Sequence, residues 1–354
     1  DAGGPVVLTV LNVGYALAPV GPDAVGGAEQ VLSALDRALV AAGHRSLVVA
    51  PRGSIVAGEL IATTAVREPI TGAARSAVEE RQRRAIECAL SSAPVDVIHA
   101  HGVDFAAHLP PTDVPTLVTL HLPADFYPAG ALAARPNTWF NAVSAAQHRT
   151  LPALPNLLDP IPNGVPVEHF MARHAPRGFA LALGRICPEK GFHLAFDAAA
   201  RAKVPLLLAG RVFPYPAHQR YFEEEIRPRL GAKARFLGAI GFARKRRLLT
   251  AARCLLAPSL APETSSLVAM EALACGCPVV AFPSGGLAEI VEPGITGFLA
   301  AGADEMAEAI ARCGDIDRDR CRYEARRRFS LDRTIAAYFA LYRRLAAGDA
   351  RPYS

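Results

Sequence analysis

Two glutamates are singled out by their surroundings. Glu263 follows the strand-like run Cys254-Leu255-Leu256-Ala257-Pro258-Ser259, and Glu271 lies inside the apolar helical stretch 267–273. A carboxylate among such neighbours is costly unless it has a partner. A pair of vicinal hydroxyls is one suitable partner, because a carboxylate accepts a hydrogen bond from each. A helix-terminal charge or a structural salt bridge is the ordinary alternative. Ser265 and Ser266 are good helix N-caps. A helix starting there leaves the N–H groups of Leu267 and Val268 free, an arrangement that attracts phosphate. Arg185 and Lys190 lie on a turn flanked by Gly184 and Gly191, after another apolar run. Arg offers a planar fork to phosphate oxygens and Lys a point charge. With the helix terminus they suggest a diphosphate site, against the ordinary reading of a solvated loop. The turn lacks the GK[ST] of a Walker sequence. Gly26 and Gly27 precede a helix in the first half and allow backbone to approach a ligand closely, although the full G-x-G-x-x-G pattern is missing.

Other combinations carry less. Asp315-Ile316-Asp317 forms a DxD that is expected to be a solvated turn. His99-Ala100-His101 is expected to place its two imidazoles on opposite faces of a strand, making a poor metal pair. Arg326-Arg327-Arg328 and Arg343-Arg344 are expected on solvated faces, with peripheral contact to an anionic membrane surface their remaining use. The seven Cys include no C-x-x-C and no zinc-type spacing. Reduced, mostly buried thiols are expected, as in a cytoplasmic protein.

These residues need elements to hold them. The runs 5–11, 46–50, 96–100, 116–120 and 139–143 read as buried strands, and most end in Gly or a polar residue. Helical patterns follow Gly27 and fill 72–92. Strand-helix alternation builds parallel sheets covered on both faces. Ligands of open sheets sit at the carboxyl ends of strands, where His101, His121 and Ser144 fall. Five prolines between Pro152 and Pro166 mark a boundary. The alternation restarts with strands at 180–183, 205–210, 234–238, 254–259 and 278–282. A tail helix, 331–345, shares one face among Ile335, Phe339, Tyr342 and Leu345.

Composition bounds the rest. At about 150 residues per domain, 354 residues suggest two domains. A content of 51% hydrophobic and 20% charged residues excludes a disordered chain. No run of about 18 apolar residues suggests a spanning helix. Asp1–Pro5 shows no basic or apolar leader segment. The net charge of +5 fits an anionic small molecule better than nucleic acid.

In order and spacing these segments resemble the retaining glycosyltransferases of family 4, with the GT-B fold. The likeness runs through Gly26-Gly27-Ala28-Glu29, residues 96–101, Thr119-Leu120-His121, Pro162-Asn163-Gly164-Val165, Gly184-Arg185, Glu189-Lys190-Gly191, Glu263, Glu271, residues 272–280, 285–291 and 294–299. The resemblance implies two Rossmann-like α/β domains facing across a cleft. They would be 1–160 for the acceptor and 161–328 for a nucleotide-sugar, with a closing helix, 329–346, crossing back. It implies that Arg185 and Lys190 bind the diphosphate, Glu271 the ribose and Glu263 a sugar hydroxyl. His121 would lie near the anomeric carbon. Gly26, Gly27, Gly184, Ser266, Leu267 and Val268 would approach the donor, and Gly238, Ala239 and Ile240 would cradle the base. The expected reaction is metal-independent transfer with retention from a nucleotide-sugar, uridine the favoured base, to an unidentified acceptor. No cofactor is implied. A nucleotide-sugar epimerase and a non-catalytic nucleotide-sugar-binding subunit are the alternatives. Thr264-Ser265-Ser266 departs from the family's Gly-Phe-Gly-type segment and puts side chains where glycines usually line the sugar pocket.

Overall fold

Residues 7–24, 26–65 and 72–349 are described by the computed structural model of the chain. Asp1–Pro5, read above for a leader, and Val6 in the first expected strand lie outside the described residues. Apolar runs too short for helices and bounded by Gly or polar residues form strands. In the first half these are β1 (Thr9–Val13), β2 (Arg45–Pro51), β3 (Glu59–Thr63), β4 (Val97–Ala100), β5 (Thr116–Leu120) and β6 (Thr138–Ala142). All pair parallel, in the order β3-β2-β1-β4-β5-β6. The second half contributes β7 (Ala180–Leu183), β8 (Leu206–Ala209), β9 (Ala234–Phe236), β10 (Cys254–Ala257), β11 (Val279–Ala281) and β12 (Gly297–Leu299). They too pair parallel, in the order β12-β11-β10-β7-β8-β9. Read from the other edge, this is the same doubly wound topology.

Each sheet has one strand more than the apolar runs suggest. Both additions, β3 and β12, are edge strands. β3 is mostly open to solvent, so no continuous apolar run marks it. β12 has only three residues, and its Gly297 lies against the Val279 carbonyl, where a Cβ has no room.

Strand side chains alternate between faces. In the first sheet Val10 packs with Val31, Leu35 and Leu39 of the helix Gly27–Ala41, while Leu11 packs with Ile86 and Ala89 of the helix Gly72–Ser92. The tail helix Leu331–Ala346 buries Tyr338, Leu341, Tyr342 and Leu345 in the first of these cores. Its inward face is broader than expected: Ile335 and Phe339 pack against this core while partly buried, and Tyr338 and Leu341 join Tyr342 and Leu345 inside. Two polar hydroxyls thus lie inside, because His99 and Thr119 accommodate them.

The chain divides into two compact units. The first takes the residues up to Pro162 together with those from Thr334 onward, and the second takes Asn163–Arg333. Among the described residues no helix is long and apolar enough to cross a membrane.

Candidate active site

In each sheet the strand order reverses beside the unit's first strand, at β1/β4 and at β7/β10. Loops leaving the carboxyl ends there turn to opposite faces, which makes this the usual place for a ligand. The candidate residues gather at these two edges, and each unit is taken by itself.

In the second unit the loop after β7 opens at Gly184 and closes at Gly191, whose φ of +61° suits glycine. A Cβ on Gly191 would strike the Pro258 carbonyl, so the turn packs directly on the segment leaving β10. Leu260 N donates to Glu189 O at 2.8 Å, fastening the two loops. Lys190, on the 3-10 turn Pro188–Lys190, places Nζ 2.5 Å from Glu263 Oε1. The Ser259 hydroxyl donates to the same carboxylate oxygen. The loop after β11 joins them through Gly286 N, which donates to Glu263 O at 2.7 Å, and Ser284 Oγ, which donates to Ala261 O at 2.7 Å. Glu263 is therefore fixed from three loops at once. Arg185 lies exposed on the first of them.

Ser266 caps the helix Leu267–Ala274, its Oγ accepting from Ala269 N at 3.4 Å. The amides of Leu267 and Val268 precede the first intrahelical bond and find no acceptor within the helix. One turn on, Glu271 is buried and its Oε1 receives Lys245 Nζ at 2.6 Å. Its Oε2 is buried with no hydrogen-bond partner among the described residues, as is Ser265 Oγ. Burial raises the Glu271 pKa, and the Lys245 ammonium opposes that rise. Lys245 also lies 5.4 Å from the centre of the Phe170 ring. It comes from the helix Phe242–Ala251, which follows Gly238, Ala239 and Ile240. Gly238 adopts a φ of +68°, and its carbonyl accepts from Gly210 N at 2.9 Å.

In the first unit Gly26 is the N-cap of the helix Gly27–Ala41, and the Glu29 carboxylate fills the space a Cβ would need. A side chain at 26 would only have to displace the flexible end of Glu29, so the helix start itself does not demand glycine there. Gly27 is exposed at the first helical position. His121 follows β5 and is partly buried, with Nε2 3.1 Å from His101 Nδ1. Burial pushes the His121 pKa down to about 3 and puts those of His99 and His101 well below the ordinary value. The three rings are therefore neutral at neutral pH.

His99 and His101 do not face opposite sides. Their ring centroids are 3.9 Å apart, because residues two apart in a strand share a face. His99 Nδ1 pairs with Tyr342 Oη and Nε2 with Thr119 Oγ1, each at 2.7 Å. Thr119 Oγ1 in turn donates to Asn141 Oδ1 at 2.7 Å, and Asn141 Nδ2 donates to Tyr338 Oη at 3.3 Å. His101 Nε2 is buried with no partner among the described residues. Close by in sequence, a cavity of about 480 Å³ is lined by Ala124, Asp125, Tyr127, Pro128, Leu132 and Pro152.

Arg343 and Arg344 are exposed, as expected, whereas other members of the basic and acidic runs make structural contacts. Asp317 caps the helix Arg318–Phe329, and Asp319 pairs with Arg173 and Arg322. Arg326 pairs with Glu168 at 2.9 Å. Arg328 is not on a solvated face; its guanidinium donates to the carbonyls of Glu289 and Ile290 at the end of the helix Leu287–Ile290.

Two groups escaped the sequence reading. Lys245 is hidden in the basic run Arg244-Lys245-Arg246-Arg247, and the signal for it was the need of Glu271 for a counter-charge. Tyr342 reads as an ordinary apolar face position, and Tyr338 carries no signal in the sequence.

Comparison with known proteins follows the same division. Residues 178–315 match the family described as Glycosyl transferases group 1, and residues 25–169 match Glycosyltransferase Family 4. A phosphatidyl-myo-inositol mannosyltransferase of Mycobacterium leprae is 29% identical over 213 residues, 54% of this chain and 54% of that protein. A D-inositol 3-phosphate glycosyltransferase of Mycobacterium avium is 33% identical over 177 residues, 46% of this chain and 41% of that protein. The chain spans about half the length of the curated relatives it matches. Among solved structures, AviGT4, a glycosyltransferase involved in avilamycin A biosynthesis, aligns with a TM-score of 0.70 at 25% identity, covering 96% of this chain and 98% of its own. A sucrose-phosphate synthase of Thermosynechococcus elongatus aligns at 0.79 and 20% identity, covering 96% and 100%. HepE of Anabaena in complex with UDP and glucose aligns at 0.71 and 21% identity, covering 94% and 98%.

Proposed function

The chain belongs to the family 4 glycosyltransferases, and on that premise we propose that it moves a sugar from a nucleotide-sugar to an acceptor hydroxyl, with retention and without a metal in the chemical step. One observation carries the reading: the buried Glu271 carboxylate spends one oxygen on Lys245 and leaves the other without a partner among the described residues. A desolvated carboxylate oxygen one turn from a helix N-terminus suits a ribose hydroxyl, with the diphosphate at the terminus itself.

In this reading Arg185, Lys190 and the amides of Leu267 and Val268 stabilise the charge that develops on the leaving diphosphate. Glu263 does two things. It fixes the Lys190 ammonium and offers its other oxygen to a sugar hydroxyl. Attack from the same face, assisted by the leaving phosphate oxygen, needs no protein nucleophile. His121 is assigned to the chemical step as a neutral imidazole. The first unit is assigned the acceptor, its cavity offering an apolar lining with the single carboxylate of Asp125. A uridine donor is favoured because HepE was solved with UDP and with UDP-glucose.

The test is a thermal-shift series with nucleoside diphosphates and their sugars. A selective ligand raises the melting temperature by mass action. UDP is expected to do so in the parent and to lose most of its effect in Glu271→Ala. A shift that is equal for all nucleotides, or unchanged in Glu271→Ala, overturns the assignment. Turnover in excess EDTA is expected to match turnover without it. Activity abolished by EDTA and restored by Mn²⁺ counts against metal-independent chemistry.

A further inference from the structure

The turn that carries Lys190 has a second side. Cys187 Sγ, a Glu189 carboxylate oxygen and a His218 ring nitrogen lie within 4.8 Å of one another. The first two leave β7, and His218 belongs to the helix Pro216–Tyr221 after β8. Two exit loops therefore converge on one point. Ile186 N donates to Arg211 O at 3.0 Å, holding the loops together. The rings of Tyr215 and Phe213 stand edge-on to His218, with centroids 5.1 and 6.3 Å away, and fix the imidazole plane. Cys187 is buried, its sulfur 3.7 Å from the Arg185 carbonyl and also turned toward the Glu189 carboxylate. His218 Nδ1 is buried with no hydrogen-bond partner among the described residues.

We propose that Cys187, Glu189 and His218 form a binding site for one zinc-class divalent ion. One sulfur, one imidazole nitrogen and one carboxylate oxygen make a borderline-soft donor set of the kind Zn²⁺ takes. Three protein ligands leave one position for water. Two of the three already stand in the ligating form. Burial lowers the His218 pKa, keeping the ring neutral. Burial disfavours the Glu189 charge, but hydrogen bonds from its own amide and from the Cys187 thiol, with the nearby His218 and Arg185, together hold its pKa below the usual value. The Cys187 thiol, pushed up to about 11 chiefly by burial, is protonated without metal. Binding therefore breaks one S–H bond, forms one S–metal bond and releases one proton to solvent. Arg185, Lys190 and Tyr221 are the other titratable groups facing the trio. The ion would tie the loop of Arg185 and Lys190 to the loop after β8, a structural clamp that takes no part in transfer.

The full chain in a Cys88→Ser background, which removes the one exposed thiol, tests this directly. Titration with Co²⁺ is expected to show one equivalent with a thiolate-to-metal absorption in the near ultraviolet, displaced by Zn²⁺. Cys187→Ser is expected to lose that absorption while retaining its circular dichroism. His218→Ala and Glu189→Gln are expected to weaken Zn²⁺ binding by roughly tenfold or more. Zn²⁺ is expected to raise the melting temperature of the parent and not of Cys187→Ser. No thiolate band at stoichiometric Co²⁺, or a Zn²⁺ affinity in Cys187→Ser and His218→Ala equal to that of the parent, overturns the proposal. The trio is then a hydrogen-bonded cluster only. The readout is metal binding, so its outcome is independent of the transfer reading.

Discussion

At the carboxyl edge of the first sheet three neutral imidazoles line up, His99, His101 and His121; at the same edge of the second sheet two lysine–glutamate pairs meet at 2.5 and 2.6 Å. The two sheets share strand order and switch point, so topology decides where a site can form and side chains decide what it can do. The first edge removes charge by burial. The second keeps charge by pairing it, and leaves Glu271 Oε2 unspent. A neutral edge suits contact with uncharged hydroxyls. A charged one suits a diphosphate and a ribose.

Acid should separate the two units most strongly. His99, His101, His108 and His121 have folded pKa values far below the unfolded value of about 6.5. The unfolded chain then binds more protons, so their contribution is full above pH 6.5 and is lost as pH falls from there toward 3. Asp104, raised to about 7 chiefly by burial, works the other way and favours the folded state as pH falls from 7 toward 4. Four groups against one make the first unit acid-labile. Trp139, the single tryptophan, lies in β6 of that unit, so its fluorescence should change at a higher pH than the circular dichroism of the second unit's helices. Coincident transitions would break the comparison.

Lys190→Ala and Arg185→Ala come next. Each should lower kcat by roughly 10²–10³, about 3–4 kcal/mol of lost transition-state stabilisation, read from initial rates of donor consumption. Near-normal turnover in both would remove the charged edge from the chemistry. Lys245→Met should cost about 3 kcal/mol of stability in denaturant melts, because it leaves the Glu271 charge buried alone. The double variant with Glu271→Gln should recover most of that loss. Tyr342→Phe should cost about 2 kcal/mol by orphaning His99 Nδ1, and unchanged stability would show that the imidazole network does not depend on the tail helix.

Much of the fold was readable because parallel strands buried on both faces are written as unbroken apolar runs. The same rule hid β3, an edge strand with exposed positions, and β12, whose three residues are too few to form a run. Glu271 was legible as a carboxylate out of place. Its partner Lys245 was not, because a lysine among three arginines looks like a solvated face. The imidazole row was misread for want of the two-residue period, and its link to Tyr338 and Tyr342 spans more than 200 positions. Cys187 and His218 obey no metal-binding spacing, since two separate loops bring them together.

The first unit is built from both ends of the described chain, with residues 163–333 set between. His99 finds Tyr342 only 243 positions later. On the ribosome, therefore, the second unit is fully synthesised before the first has its last core helix. Until then His99, Thr119 and Asn141 face a core still lacking the two tyrosine hydroxyls they bond. A chain stopped at Arg333 keeps the charged edge intact and leaves the imidazole edge unfinished, so the order of synthesis runs opposite to the order in which the units begin.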